Sequence, residues 1–377
     1  MQAPERTRER FRVQDHEWDE IRGRDRADRT KLMQERPRVV KFDSVPWEQS
    51  RSAHHKVYTS YDLPTVERKP WQALMGSLRV MMQIIPSGHK NANHRHIMEV
   101  PFYIHEGTGH EIHDGKRLDW EAGDLMIVPP YCMHQHFCDE GPAVLVYCQA
   151  GHGPFIAGGG GGEQHEMHES WQMPEDAKAL FGPDGDLVGY RRGEVDFIFK
   201  AMQHERDALQ ARTFEEPPLP SHPVTDSYEY FIRQFQEECY WRQNVPQVIK
   251  QSQRTWELTR NGKTLWFLHP RHPELQTGLK LFECSLMEVP PGGRTGKHRH
   301  LGDEAHFIID GEGYTAIDGV DWEWGYQDVV AIPNLATHQS FNTGARTARF
   351  LVYKSRTFDY ASFAGIEHFE DAAPIKF

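Results

Sequence analysis

Short apolar runs bounded by glycine-containing turns dominate the pattern of this chain. In the first half they read FYIH, LMIVPP and AVLVYC, and in the second half HFIID, VVAIP and ARFLVY. Runs of this length between turn signals predict short β-strands rather than helices. Regularly spaced short strands are typical of a sandwich or barrel, so we predict an all-β dominated fold.

The two halves of the chain repeat one another. The segment from His94 to Phe137 aligns without a gap with His298 to Phe341, at a constant offset of 204 residues. Upstream the repeat continues at an offset of 209, where residues 39–41 (VVK) align with residues 248–250 (VIK). A chain of 377 residues is also long for one hydrophobic core. We therefore predict two related barrels joined by a partly helical linker.

The remaining segments differ in kind from the two repeats. Residues 1–37 are dense in Arg, Glu and Asp and predict a charged helical arm, and residues 158–162 are all glycine. The predicted division of the chain is an arm at 1–37, a first barrel at 38–157, a Gly-rich tether and helical linker at 158–245, a second barrel at 246–357 and a C-terminal tail at 358–377.

Composition narrows the functional classes. The net charge of −12 gives no electrostatic footprint for nucleic acid or an anionic membrane. The chain lacks an apolar run near the roughly 18 residues that suggest a membrane span, and its first residues do not resemble a secretory signal, so we expect a cytoplasmic protein. Five widely spaced cysteines without a CxxC pair indicate reduced thiols. The chain also contains 23 histidines, an unusually large number.

A His-x-His pair on one strand places both imidazoles on the same face, where a single metal ion can bind both. The second half offers three imidazoles and one carboxylate, a set that suits Fe, Mn, Ni, Cu or Zn rather than calcium. The four predicted ligands are His298, His300, Glu304 and His338. The alternative, four unrelated polar residues in turns, does not explain why their register is repeated in the first half.

The first half repeats the imidazoles but not the carboxylate. Its predicted ligands are His94, His96 and His134, and Val100 stands where the second half has Glu304. Glu99 aligns one position earlier and could bind the metal only through a bulge, because a shift of one residue turns a side chain to the other face of a strand. A three-His site with open positions is the preferred interpretation.

Several further residues are candidates for contact with a substrate. His136 shares a strand face with His134, and His306 shares one with Glu304, so both are candidate catalytic groups. An ordinary hydrogen-bonding or core role is the alternative for each. The arginines that could bind a substrate carboxylate are Arg95, Arg294 and Arg299.

The HRH pairs, the EGxG and DGEG turns, the AGDLMIVPP strand and the closing HQHF and HQSFN segments together resemble the two-motif signature of the cupin superfamily, over residues 38–150 and 247–357. The resemblance implies two double-stranded β-helix (jelly-roll) barrels. The first half looks most like the gentisate, salicylate and 1-hydroxy-2-naphthoate dioxygenases, which implies that its three histidines bind iron. The second half resembles oxalate-decarboxylase-like bicupins, which keep three His and one Glu and use manganese.

Three functions follow as hypotheses. The first is an Fe(II)-dependent dioxygenase, in which open metal positions take O₂ and a bidentate hydroxy-aromatic acid, and His136 or His306 accepts the hydroxyl proton. The second is a non-oxidative isomerase, lyase, decarboxylase or hydrolase, distinguished by its indifference to O₂. The third is a non-catalytic binding or storage protein. Family habit and the charged arm favour a homodimer or homotetramer.

Overall fold

The computed structural model describes residues 35–50, 53–61, 69–96, 98–130, 132–150, 162–164, 227–269, 281–357 and 365–374. The strands of the first half are β1 (Val39–Val40), β2 (Glu48–Gln49), β3 (His54–Val57), β4 (Thr59–Tyr61), β5 (Ala73–Met75), β6 (Leu78–Ile85), β7 (His94–His96), β8 (Val100–His113), β9 (Lys116–Glu121), β10 (Leu125–Val128), β11 (His134–Ala150) and β12 (Gly162–Gln164).

Helix α1 (Ser227–Asn244) precedes the second half. The strands that follow it are β13 (Val248–Ile249), β14 (Trp256–Thr259), β15 (Gly262–Leu268), β16 (Phe282–Val289), β17 (Lys297–His300), β18 (Glu304–Asp310), β19 (Gly313–Ile317), β20 (Val320–Trp324), β21 (Val329–Ile332), β22 (His338–Asn342), β23 (Ala348–Ser355) and β24 (Ile366–Glu370). Short 3₁₀ turns at Phe42–Ser44 and Gln251–Gln253 follow β1 and β13.

Each half builds a barrel from two facing groups of antiparallel strands. In the second half these are separate sheets, with strand orders β1-β21-β18-β23-β16-β15-β14 and β20-β19-β22-β17-β24. In the first half the long strands β8 and β11 run through both groups, and one sheet results. Strand β8 corresponds in the repeat to β18 and β19, and β11 to β22 and β23. The predicted all-β fold with two barrels is confirmed.

The hydrophobic core has three parts, which explains why the strand sequences read as continuous apolar runs. One cluster fills the first barrel and includes Phe102 and Ile104, and another fills the second and includes Phe350. The largest cluster lies between the barrels and joins side chains such as Tyr103 and Tyr353. A strand buried on both faces does not need alternating polar positions.

The leading strand of each half pairs with the other barrel. Val39 and Val40 of β1 pair with Val330 and Val329 of β21, and β13 pairs in the same antiparallel way with β10. The predicted boundaries place β1 in the first barrel and β13 in the second, whereas the pairing assigns each to the opposite barrel. The sequence repeat shows that the two strands are equivalent, but equivalence does not reveal their partners.

A buried carboxylate fixes each exchanged strand. Asp328 accepts hydrogen bonds from Lys41 Nζ at 2.8 Å and from the Phe42 backbone N–H at 3.0 Å. Asp124 accepts the equivalent bonds from Lys250 Nζ at 2.6 Å and from the backbone N–H of residue 251 at 3.3 Å. The repeat therefore preserves the contact between the halves as well as the barrels.

Other predictions fall partly within the described residues. The linker contains one described helix, α1, and the predicted tail contains β24. The arm up to residue 34, the glycine run up to residue 161 and most of the linker lie outside them. All five cysteines are buried, and none of them forms a disulfide bond. Within the part of the chain that the structure describes, no helix is long and apolar enough to cross a membrane.

Candidate metal centres

The first candidate centre lies where β7 meets the start of β11. His94 pairs directly with His134 across the two strands, and His96 follows on the same face of β7 because side chains alternate along a strand. The ring centroid of His134 lies 4.3 Å from that of His94 and 4.8 Å from that of His96. One nitrogen of each imidazole lies within 4.8 Å of the others.

The second centre repeats this geometry on β17 and β22 and adds a carboxylate from β18. His298 pairs with His338, and their ring centroids are 4.2 Å apart. Glu304 Oε2 lies 3.1 Å from His300 Nε2, and Glu304 Oε1 lies 3.4 Å from His338 Nε2. Two ligand atoms bound at right angles to one metal ion, each at about 2.1 Å, lie about 3 Å apart, so these separations fit a shared ion.

Every one of the six imidazoles is held through Nδ1 by a nearby backbone carbonyl. The Nδ1–O distances are 2.8 Å for His94, 2.6 Å for His96, 3.0 Å for His134, 3.1 Å for His298, 3.2 Å for His300 and 3.0 Å for His338. A carbonyl only accepts, so Nδ1 carries the proton and the Nε2 lone pair is left for a metal.

The electrostatics of both centres also suit a cation. Burial, reinforced by a neighbouring imidazole, lowers the pKa of His96 and of His298 to about 3, so both rings are neutral at pH 7. Burial alone would raise the pKa of Glu304, but its interactions with the surrounding histidines hold that pKa well below its usual range. Nε2 of His134 and of His338 is buried and finds no hydrogen-bond partner within the described ranges, as expected for atoms that bind a metal.

The two candidate catalytic histidines differ in their surroundings. His306 is buried, donates through Nε2 to Glu304 Oε1 at 2.6 Å and stacks on Phe350. It therefore orients a predicted ligand. His136 lies beside the first centre, 5.4 Å from His134 between ring centroids, and its Nε2 is buried with no hydrogen-bond partner in the part of the chain that the structure describes.

A carboxylate that the sequence analysis missed accompanies His136. Glu111 is fully buried, and its two oxygens lie 2.5 Å from His136 Nδ1 and 3.0 Å from His113 Nε2. Burial alone would raise the pKa of Glu111, but its interactions with these two histidines hold that pKa below its usual range. Gln247, from the segment leading into β13, contacts His113 Nδ1 at 2.7 Å.

Among the described residues, the group at the first centre consists of three histidines and does not include Glu99. Its carboxylate is buried and accepts a hydrogen bond from the backbone N–H of Leu281 in the second half. The aligned Asp303 does the reverse, accepting bonds from the backbone N–H and hydroxyl of Ser77 at 2.6 and 2.8 Å. Both carboxylates therefore join the two barrels.

Two of the three predicted substrate-binding arginines lie on the strand face opposite the predicted metal ligands. Arg95 and Arg299 each sit between the histidines of an HRH strand, and strand alternation turns them away from the metal ligands. Arg299 is exposed and forms an ion pair with Glu367 of β24. Arg294 is exposed, in a segment that bridges to Phe341. The geometry does not support a substrate contact for Arg95 or Arg299.

Comparison with known proteins agrees with this architecture. The cupin domain family model matches residues 80–148 and 285–353, so the chain contains two cupin domains. A stretch of 64 residues is 33% identical to 5-aminosalicylate 1,2-dioxygenase from Comamonas sp, and the match covers 17% of this chain and 17% of that enzyme. The similarity in sequence to this curated relative thus spans about a sixth of its length.

Solved structures share the fold at low identity. A variant of salicylate 1,2-dioxygenase from Pseudoaminobacter salicylatoxidans is 12% identical with a TM-score of 0.50, covering 86% of this chain and 91% of that one. A variant of oxalate decarboxylase from Bacillus subtilis is 15% identical with a TM-score of 0.52, covering 88% and 78%. At these identities the likeness concerns the fold and leaves the reaction open.

Proposed function

We propose that this bicupin is an Fe(II)-dependent dioxygenase whose first domain cleaves a hydroxylated aromatic acid of the gentisate or salicylate type with O₂. The observation that carries the proposal is the first centre itself, in which three imidazoles converge and the described group contains no carboxylate. A neutral ligand set keeps the full charge of the metal for an anionic hydroxy-acid and leaves positions open to it. The curated relative, a 5-aminosalicylate 1,2-dioxygenase, supports the same class of substrate.

The residues of the first domain would have distinct roles in this reaction. His94, His96 and His134 would hold the iron, which supplies the redox chemistry that lets O₂ react with an aromatic ring. His136 presents a buried Nε2 that could accept the proton of the substrate hydroxyl. Phe102, whose ring lies 4.6 Å from that of His136, provides an apolar wall against water. Arg294 remains a proposed carboxylate-binding residue only for the second domain, where its segment lies.

A second candidate function, non-oxidative chemistry on a small acid, is favoured by the complete His₃Glu set of the second domain. The carboxylate of Glu304 would hold the metal together with the three histidines and would lower the net charge of the centre, which suits Mn, Fe, Ni, Cu or Zn acting as a Lewis acid. Under this alternative the second domain would be a decarboxylase, lyase, isomerase or hydrolase, and its turnover would not consume O₂.

Metal analysis combined with an oxygen electrode tests the proposal. The purified protein is analysed for Fe, Mn, Ni, Cu and Zn and then assayed with gentisate, salicylate and 5-aminosalicylate, with CO₂ release measured under nitrogen in parallel. Iron with substrate-dependent O₂ uptake that His94→Ala abolishes and His298→Ala retains is the expected result. CO₂ release without O₂, lost in His298→Ala, would transfer the activity to the second domain.

We also propose that the protein acts in the cytoplasm as a homodimer or homotetramer. Sedimentation equilibrium of the metal-loaded chain measures the assembly directly, and a monomer at micromolar concentration would contradict this part of the proposal. Cell fractionation tests the location.

A further inference from the structure

The buried carboxylate of Glu111 beside the first centre has no counterpart at the same position of the second. The repeat aligns Glu111 with Thr315, His113 with Ile317 and His136 with Ser340. In the second barrel the Thr315 and Ser340 hydroxyls bond to each other at 2.9 Å. The fold therefore forms at this position without a charge, and the carboxylate of the first barrel is not needed to build it.

Burying a carboxylate is costly unless its oxygens receive hydrogen bonds. Glu111 meets this condition with two imidazoles, through Oε2 to His136 Nδ1 at 2.5 Å and through Oε1 to His113 Nε2 at 3.0 Å. An ionised carboxylate only accepts, so both of these nitrogens carry hydrogen. In its neutral form His136 therefore has its proton on Nδ1 and its lone pair on Nε2.

The imidazole of His136 lies next to the ligands of the first centre, 5.4 Å from His134 between ring centroids. His136 lies on the same face of β11 as His134 and is an electrostatic neighbour of both His134 and His96. Its Nε2 is fully buried and has no hydrogen-bond partner among the described residues. The six predicted histidine ligands have the same protonation pattern, but their Nδ1 atoms bond to backbone carbonyls, whereas that of His136 bonds to a carboxylate.

We infer that Glu111 is a positioning residue, which holds His136 so that Nε2 is a hydrogen-bond acceptor directed at the first centre. The consequence for catalysis rests on the proposed function: Nε2 would receive the O–H of a hydroxy-aromatic acid bound there. His113 fixes the other carboxylate oxygen and is itself contacted by Gln247 at 2.7 Å. The segment leading into the second domain thereby supports the site of the first.

The tautomer of His136 is the direct test. Zinc-loaded protein labelled with ¹⁵N-histidine is examined by long-range ¹H–¹⁵N NMR, and His136 is assigned by its absence from the spectrum of His136→Gln. We expect a protonated Nδ1, with its proton shifted far downfield by the short bond to Glu111, and an unprotonated Nε2. A protonated Nε2 in the wild-type protein would overturn the inference without any variant.

Glu111→Gln tests the role of the carboxylate, and Thr315→Val at the aligned position is the matched control. The amide keeps the shape of the side chain but brings a donor to one of the two imidazoles, so the Nδ1–H signal of His136 should be lost or broadened into two forms. Thr315→Val should leave it unchanged. An unchanged His136 signal in Glu111→Gln, with metal content and unfolding temperature near those of the wild type, would refute the inference.

Turnover gives a separate readout. Where gentisate or salicylate supports O₂ uptake, Glu111→Gln should lower kcat by about 10–100-fold, as loss of an outer carboxylate partner commonly does, with little change in KM. Equal kcat in the variant and the wild type would remove the catalytic part of the inference. If no hydroxy-aromatic acid supports O₂ uptake at all, the proposed function fails, while the NMR result still decides the positioning role.

Discussion

Replacing Asp328 by alanine should destabilise the protein far more than its single charge suggests. The carboxylate accepts the backbone N–H of Phe42 at 3.0 Å and that of Gly325 at 2.9 Å, besides the ion pair with Lys41. One substitution therefore breaks a turn of the second barrel and the attachment of β1 to it. Asp124 makes the equivalent contacts with Lys250 and with two backbone N–H groups, so Asp124→Ala should behave alike.

The magnitude follows from burial. A backbone N–H bonded to a charged acceptor contributes about 1.5–3 kcal/mol, so the two such bonds of Asp328 contribute about 3–6 kcal/mol. Lys41 is 53% exposed, and an exposed ion pair adds at most about 1 kcal/mol. The total is a large part of the roughly 5–15 kcal/mol that separates a native domain from its unfolded state. Lys41→Met should lower the free energy of unfolding by no more than about 1 kcal/mol.

Urea unfolding at pH 7 measures the free energy of unfolding, and limited trypsin digestion reports release of β1 through cleavage after Arg38 and Lys41. Asp139→Ala is the control, because that carboxylate is 46% exposed and pairs only with side chains of its own barrel. If Asp328→Ala lowers the free energy of unfolding by an amount within about 1 kcal/mol of that for the control, the carboxylate does not secure the exchanged strand. Continued protection of residues 38–41 from trypsin would lead to the same conclusion.

The remaining predictions concern the two centres. In metal analysis, His298→Ala and His94→Ala should each lose one of two bound metal ions, and full metal content in either would refute that ligand assignment. Because the folded pKa of His96 and of His298 is about 3, below the unfolded value of about 6.5, the metal-free protein should lose stability as the pH falls from 6.5 towards 3. Each ring lowers the free energy of unfolding by at most about 1.4 kcal/mol for each pH unit of this decrease. Unfolding midpoints that do not change with pH over this window would contradict the neutral state of these imidazoles. Glu99→Gln should lower the free energy of unfolding and leave the metal content unchanged. Loss of a metal ion in this variant would show that Glu99 is a ligand.

The ligand sets could be predicted from the sequence because two simple regularities act together. Alternation along a strand puts His94 and His96 on one face, and the repeat fixes which later histidine faces them. The structure accordingly brings all seven predicted ligands into two groups. The same alternation argues against Arg95 and Arg299 as substrate-binding residues, so that part of the prediction could have been corrected from the sequence.

Glu111 and the exchange of β1 and β13 could not be predicted in this way. Val100, Phe102 and Ile104 of β8 face the interior, and strict alternation would place Glu111 outside. Irregular register between β8 and β11 around residues 138–145 changes the phase, so that Glu111 and His113 become buried. The exchange of β1 and β13 could not be predicted for another reason. Residues 39–41 (VVK) and 248–250 (VIK) are so similar that their sequences do not indicate which barrel each strand joins.

The two barrels each keep one buried carboxylate with a histidine partner, but at different interior positions. In the second barrel Glu304 pairs with His306, where the first barrel has Val100 and Phe102. In the first barrel Glu111 pairs with His136, where the second has hydroxyl side chains.

Both members of each pair are thus present or absent together. This is what the energetics require, because a buried carboxylate that loses its partner costs several kcal/mol, whereas replacing both by uncharged side chains is tolerated. The consequence for chemistry is a difference in charge at the metal. Glu304 belongs to the second ligand set, whereas Glu111 is not one of the atoms grouped around the first, where it can act on bound molecules only through His136. One duplicated scaffold therefore presents two centres of different charge, and the first is better suited to an anionic acid that must bring its own negative ligands.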